Sequence, residues 1–120
     1  MALLLISHDI ALVAAVADRI QVMYAGQAME EGPAASLVAA PRHPYTRALL
    51  AALPERAGGA RRLAAIPGVV PPPGARPAAC LFQPRCALAF ARCADQRPGY
   101  EDRVRCHAPL DAAGHPQVRL

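Results

Sequence analysis

The sequence predicts an α/β fold: a buried strand, a helix, a β-hairpin and short helices, followed by a small irregular segment rich in proline and cysteine. Three observations carry this. The apolar run ALLLI at residues 2–6 breaks at Ser7-His8-Asp9, and apolar residues then recur at helical spacing. RIQVMY at residues 19–24 alternates, and Ala25-Gly26 separates it from a second extended stretch, Gln27 to Glu31. From Ile66 to Pro77 the chain holds five prolines and two glycines, and four cysteines follow between Cys80 and Cys106.

Each element has a local reason. A short apolar run bounded by polar residues suits a strand buried on both faces of a parallel sheet. Asp9 can cap the helix that follows, because its carboxylate accepts from the orphan amides of the first turn. Ile10, Val13, Ala14 and Ala17 fall at i, i+3, i+4 and i+7, one face of that helix. A strand feeding a helix through a short polar turn is an α/β signature, and ligands in such sheets sit beyond the carboxyl ends of strands, where His8 falls. Gly32-Pro33 ends the hairpin, and Pro33 opens a short helix over residues 34–40. Pro41 ends that helix. His43-Pro44-Tyr45-Thr46 starts another, closed by Pro54, with Tyr45, Leu49 and Leu53 on one face. Residues 55–62, ERAGGARR, read as a linker. The proline-rich stretch must be extended or turning. No pattern is visible from Leu110 onward. His43 and His115 each precede a proline and read as surface residues.

Composition limits the function. Of the residues, 54% are hydrophobic but only 4% aromatic, so large core-filling side chains are scarce and a chain of this size would be marginal alone. All 13 basic residues are arginine. A P-loop needs a lysine for the β- and γ-phosphates, so none lies within this sequence. The arginines are scattered, and two Phe and three Tyr offer little for base stacking; nucleic acid is not an expected partner. No run reaches the roughly 20 apolar residues of a membrane span. A secretion signal ending at Ala15-Val16-Ala17 is a poor fit, since no basic residue precedes the apolar run and His8-Asp9 interrupts it.

The cysteines are spaced C-x5-C-x6-C-x12-C. In an oxidising compartment they would form two disulfides in one of three pairings. In a reducing one, clustered thiols suggest metal. Zinc sites usually show close C-x2–4-C pairs, absent here, although His107 could be an alternative ligand. Four thiolates also hold iron–sulfur clusters, with wider spacing. Free thiols are the remaining reading. Two further functions are open on this basis: a small secreted disulfide protein and a stand-alone metal-binding module.

Taken in order, LLLISHD, VAAVADRIQVMYAGQAMEEG, P-x-HPYTRALLAALP, IPG-V-PPP and CLFQPRCALAFARC with Cys106-His107 downstream resemble the C-terminal part of an ATP-binding subunit of an oligopeptide/dipeptide ABC transporter. The resemblance covers roughly residues 3–110. It implies that the α/β part is the C-terminal remnant of a P-loop ATPase core. His8 would be the switch histidine, catalytic and ATP-binding, that contacts the γ-phosphate and helps hold the attacking water. It implies ATP as cofactor, and a metal site of Cys80, Cys86, Cys93 and Cys106 holding a [4Fe-4S] cluster, with zinc as the alternative. The implied partners are permease subunits and a second ATPase subunit, the location is cytoplasmic at the inner face of the membrane, and the cargo is peptide or nickel. The phosphate loop, signature motif and catalytic glutamate are missing from this sequence, so the expectation is a truncated subunit that does not hydrolyse ATP alone. The expected organisation is an ATPase remnant over 1–40, a helix and linker over 41–65, the Pro-rich four-cysteine segment over 66–110 and a tail over 111–120. An isolated strand at residues 2–6 would leave unpaired edges and lower solubility.

Overall fold

The computed structural model describes residues 1–53, 66 and 68–119. Its centre is the expected hairpin: β1 (Arg19–Tyr24) runs antiparallel to β2 (Gln27–Pro33). Ala25 and Gly26 make the two-residue turn with φ of 50° and 78°, the left-handed pair that matches strand twist in tight hairpins. A register shift between Val22 and Met23 bends the ladder. Alternation places Ile20, Val22 and Tyr24 on the buried face of β1.

Helix α1 (Ile10–Val16) is capped as the sequence predicts: Asp9 Oδ1 accepts from the amides of Ala11 at 3.1 Å and Leu12 at 3.2 Å. Its Val13 and Ala14, with Ala17 just beyond, pack on Ile20, Val22, Ala34 and Leu37. Pro33 precedes α2 (Ala34–Ala39), whose first amide donates to Asp18 O. Helix α3 (Pro44–Ala51) has Pro at its first position, where the missing N–H is not needed. The close of this helix at Pro54 and the linker over 55–62 lie outside the described residues. The proline-rich stretch contains one turn of 3-10 helix, Pro73–Ala75. The cysteine segment adds a second, Gln83–Arg85, and a short helix α4 (Ala91–Asp95).

A second apolar cluster joins Tyr24, Met29, Cys80, Leu81, Phe82 and Cys93, with Tyr45 touching both clusters. Tyr24, Tyr45 and Phe82 form a ring triad with centroids 4.9–5.3 Å apart. The outer edge of β2 is covered by residues 103–105. Glu31 N–H donates to Arg103 O at 3.0 Å, and Arg105 N–H donates to Met29 O at 2.7 Å. This brings the approach to Cys106 against the hairpin.

Four expectations are corrected. Residues 2–6 form no strand; Leu3, Leu4 and Ile6 are exposed. A strand of a parallel sheet gains its hydrogen bonds only from neighbours, and none of the described residues pairs with it. His43 is buried, not superficial. The buried residues of α3 are Pro44, Thr46 and Leu50; Tyr45 and Leu49 flank them half-buried, because the helix is covered on two sides. The stretch after Leu110 is built into the fold: Leu110 N–H donates to Arg42 O, Gln117 N–H to Pro109 O and Arg119 N–H to His107 O. Among the described residues, no helix is long and apolar enough to cross a membrane.

Candidate functional site

His8 lies in an exposed bend immediately before α1. The bend is shaped by the Ser7 hydroxyl, which accepts from the Asp9 amide at 3.0 Å. Helix α1 packs on the first apolar cluster, whereas Cys80 and Cys93 belong to the second and Cys86 packs against it. The two sets of predicted site residues are therefore carried by different parts of the fold.

None of the four cysteines is paired in a disulfide. Cys80 and Cys93 are buried, and Cys86 and Cys106 are half-buried. Cys80 N–H donates to Cys93 O at 2.9 Å, clipping the start of the segment to α4. The 3-10 turn after Phe82 returns the chain to Cys86. Burial pushes the Cys106 thiol up to about 11, the Ala108 amide opposes this, and Cys80, Cys86 and Cys93 add to the rise. Burial likewise raises Cys80 and Cys86, and both feel Cys93. Backbone amides already point at three of the thiols: Phe82 and Gln83 toward Cys80, Leu88 toward Cys86, and Ala108 toward Cys106 at 3.4 Å. Such amides favour a thiolate over a thiol. Among the described residues, no three His, Cys, Asp or Glu side chains are already assembled as a metal-holding group.

His107 was a candidate alternative ligand. It is buried, with its ring Nε2 2.8 Å from Gln96 O and in an edge-type contact with the Phe90 ring. A carbonyl can only accept, so Nε2 is the protonated nitrogen in this contact. That nitrogen is engaged with the backbone and not with the thiols.

Between β2 and the start of α3 sits a polar clasp that sequence reading missed. Glu30 is buried in β2 and accepts from Arg42 N–H at 2.8 Å and His43 N–H at 3.0 Å. His43 caps α3: Nδ1 accepts from Tyr45 N–H at 2.9 Å, while Nε2 is 3.0 Å from Arg105 O. These partners select the neutral tautomer protonated at Nε2. Burial lowers the ring to about 4, partly offset by the Arg105 carbonyl. Arg105 in turn sends Nε to Ala28 O at 2.9 Å and lies over the Tyr100 ring. The one sequence signal was His directly before a helix-initiating Pro, which makes His the N-cap; nothing local announces Glu30.

The pattern of the family described as the oligopeptide/dipeptide transporter, C-terminal region, matches residues 29–93. The chain is also similar to the dipeptide transport ATP-binding protein DppD of Escherichia coli (strain K12), 53% identical over 123 residues, which takes in 98% of this chain and 38% of that protein. The corresponding figures for the dipeptide transport ATP-binding protein DppD of Haemophilus influenzae are 49% identity over 120 residues, 97% of this chain and 36% of that protein. The chain therefore spans well under half the length of these relatives.

Proposed function

Since the chain belongs to the oligopeptide/dipeptide transporter C-terminal region family, we propose that it serves as the C-terminal part of an ATP-binding subunit of a peptide transporter. The observation that carries this reading is the 53% identity across 98% of the chain to a dipeptide transport ATP-binding protein. In this reading residues 1–40 complete a nucleotide site whose phosphate-holding parts lie outside this sequence. His8 stands before a capped helix, where an imidazole can donate to a phosphate oxygen. The subunit works at the inner face of the membrane with permease subunits and a second ATPase subunit. Peptide is preferred over nickel as cargo because the relatives carry peptide transport in their names.

The test is a chimera in which this chain replaces the matching region of Escherichia coli DppD, in cells that depend on dipeptide uptake. The chimera restores growth, and its His8→Ala version loses both growth and ATP hydrolysis. Equal growth with and without His8 would remove the switch role.

The four thiols are the second part of the proposal. Cys80, Cys86, Cys93 and Cys106 fit a thiophilic metal centre, a [4Fe-4S] cluster first and zinc second. Support comes from the donor set: two buried and two half-buried thiols, with backbone amides aimed at three of the sulfurs. A bound group would cross-link a proline-rich segment that has little core of its own. Iron and acid-labile sulfide in equal amounts, with a brown chromophore, are expected after anaerobic purification of the full chain, and each Cys→Ser replacement removes them. Stoichiometric zinc in a colourless protein selects the alternative. A chain that takes up neither metal anaerobically overturns the centre.

A further inference from the structure

A cavity of about 390 Å³ opens between the end of α2, the second half of α3 and the turn over residues 111–114. Leu50, only 2% exposed, is its most buried wall. Apart from this leucine, Arg47 and Asp111, the lining is alanine, proline and glycine. Small apolar side chains leave the space open and bring no polar atoms into it.

Both charges are held in place. Arg47 donates from Nη1 to Gly114 O at 3.0 Å. Gly114 stands at φ of 85°, and a Cβ there would come within 3.2 Å of that same nitrogen. Glycine therefore lets the turn and the guanidinium meet without strain. Asp111 Oδ1 accepts from the amides of His115 and Ala113, both at 2.9 Å. The His115 amide foremost holds this carboxyl below the usual carboxylate range. Oδ2 accepts from the exposed Gln117 Nε2 at 3.1 Å and stands 3.8 Å from His115 Nδ1. Leu110 N–H donates to Arg42 O at 2.7 Å, which docks the turn beside the start of α3. Among the described residues, Arg47 and Asp111 form no ion pair with each other. Two opposite charges thus line one cavity without pairing.

We propose that this cavity binds a dipeptide-sized peptide of small apolar residues as its zwitterion, with the terminal carboxylate on Arg47 and the terminal ammonium on Asp111. A planar guanidinium fork matches a carboxylate. Ligand pockets of about 300–1,000 Å³ combine apolar walls with a few placed polar groups, and here those groups are one of each sign. An uncharged ligand would leave both charges without a partner, and a simple anion or cation would satisfy one and face the other. The inference goes beyond the transporter reading and does not rest on it. Peptide binding here can fail while the chimera restores growth, and the reverse.

The probe is L-alanyl-L-alanine, titrated into the full chain labelled with nitrogen-15 and followed by amide chemical shifts. Saturable shifts are expected at Ala51, Ala112, Ala113 and Gly114. N-acetylated and C-amidated dialanine each lack one charge and should bind about tenfold weaker. Arg47→Gln should weaken dialanine about tenfold and erase the difference between dialanine and its amide. Asp111→Asn should do the same for the acetylated form. Ala51→Leu fills the cavity and should abolish binding. Arg19→Gln, which breaks the surface ion pair of Arg19 with Glu31, should bind as wild type. Shifts that rise linearly without saturating overturn the site. Equal affinity for dialanine and both capped forms overturns the zwitterion. Free L-alanine binding as tightly as dialanine overturns the peptide class. If Asp111→Asn loses its amide dispersion because the turn has opened, Arg47→Gln and the two capped ligands decide, and the absence of any difference among them counts against the proposal.

Discussion

Phe82→Ala is expected to lower folding stability by about 3–5 kcal/mol, the range for removing a buried aromatic ring. Phe82 is 2% exposed and meets Tyr24, Tyr45 and His43 through its ring. These contacts join β1, α3 and the loop between Cys80 and Cys86. The ring cannot be replaced by neighbours sliding inward, because its partners are themselves rigid rings held at the hairpin tip and helix start. Small domains are stable by only about 5–15 kcal/mol, so the variant is left with little margin. Urea unfolding followed by circular dichroism measures the loss. Val69→Ala, at an exposed position, serves as the reference and should shift stability by less than about 0.5 kcal/mol. A Phe82→Ala loss below about 1 kcal/mol would contradict the role of the triad as the joint between hairpin and cysteine loop.

The clasp of Glu30 and His43 has the second-largest expected effect. Glu30→Gln keeps the volume but offers one carbonyl oxygen in place of two carboxyl oxygens. One of the amides of Arg42 and His43 then faces an NH₂ group, and the loss should be about 2–3 kcal/mol, as for a hydrogen bond to a charged group with its buried donor stranded. His43 adds a pH dependence of known sign. Its ring sits at about 4 when folded against an ordinary 6.5, so the unfolded chain binds the extra proton between these values. Stability is therefore full above about pH 6.5 and falls as pH drops toward 4, by about 3 kcal/mol in all. His43→Asn retains an N-cap acceptor but nothing that titrates there. Its stability should be lower at pH 7 and flatter from pH 6.5 to 4. An acid limb of unchanged depth in His43→Asn would assign the titration to another group.

Elements specified by neighbours along the chain were legible from residues alone. Asp9 announces α1, Ala25-Gly26 the hairpin and Pro44 the start of α3, because capping and turn chemistry are local. The family, too, was legible, since HPYTRALL and the cysteine run are local strings. What depends on distant partners was not. ALLLI has the composition of a strand, but hydrogen bonds come from a neighbour and not from composition. The burial of His43 follows from Glu30 and Arg105, which approach from β2 and from the segment before Cys106. Arg119 looked patternless because its partners are backbone carbonyls, and carbonyls carry no sequence signature.

The pairing of Glu30 with Val104 also dictates an order of events during folding. The hairpin and α3 involve near neighbours and can close in microseconds, whereas contacts that close long loops form late. Residues 101–107 can dock only after nearly the whole chain is available. Cys106 is therefore the last of the four cysteines to reach its place. A ribosome-bound chain passing through that stage has the edge of β2 open to pairing with another chain, and the interval closes when that edge is covered.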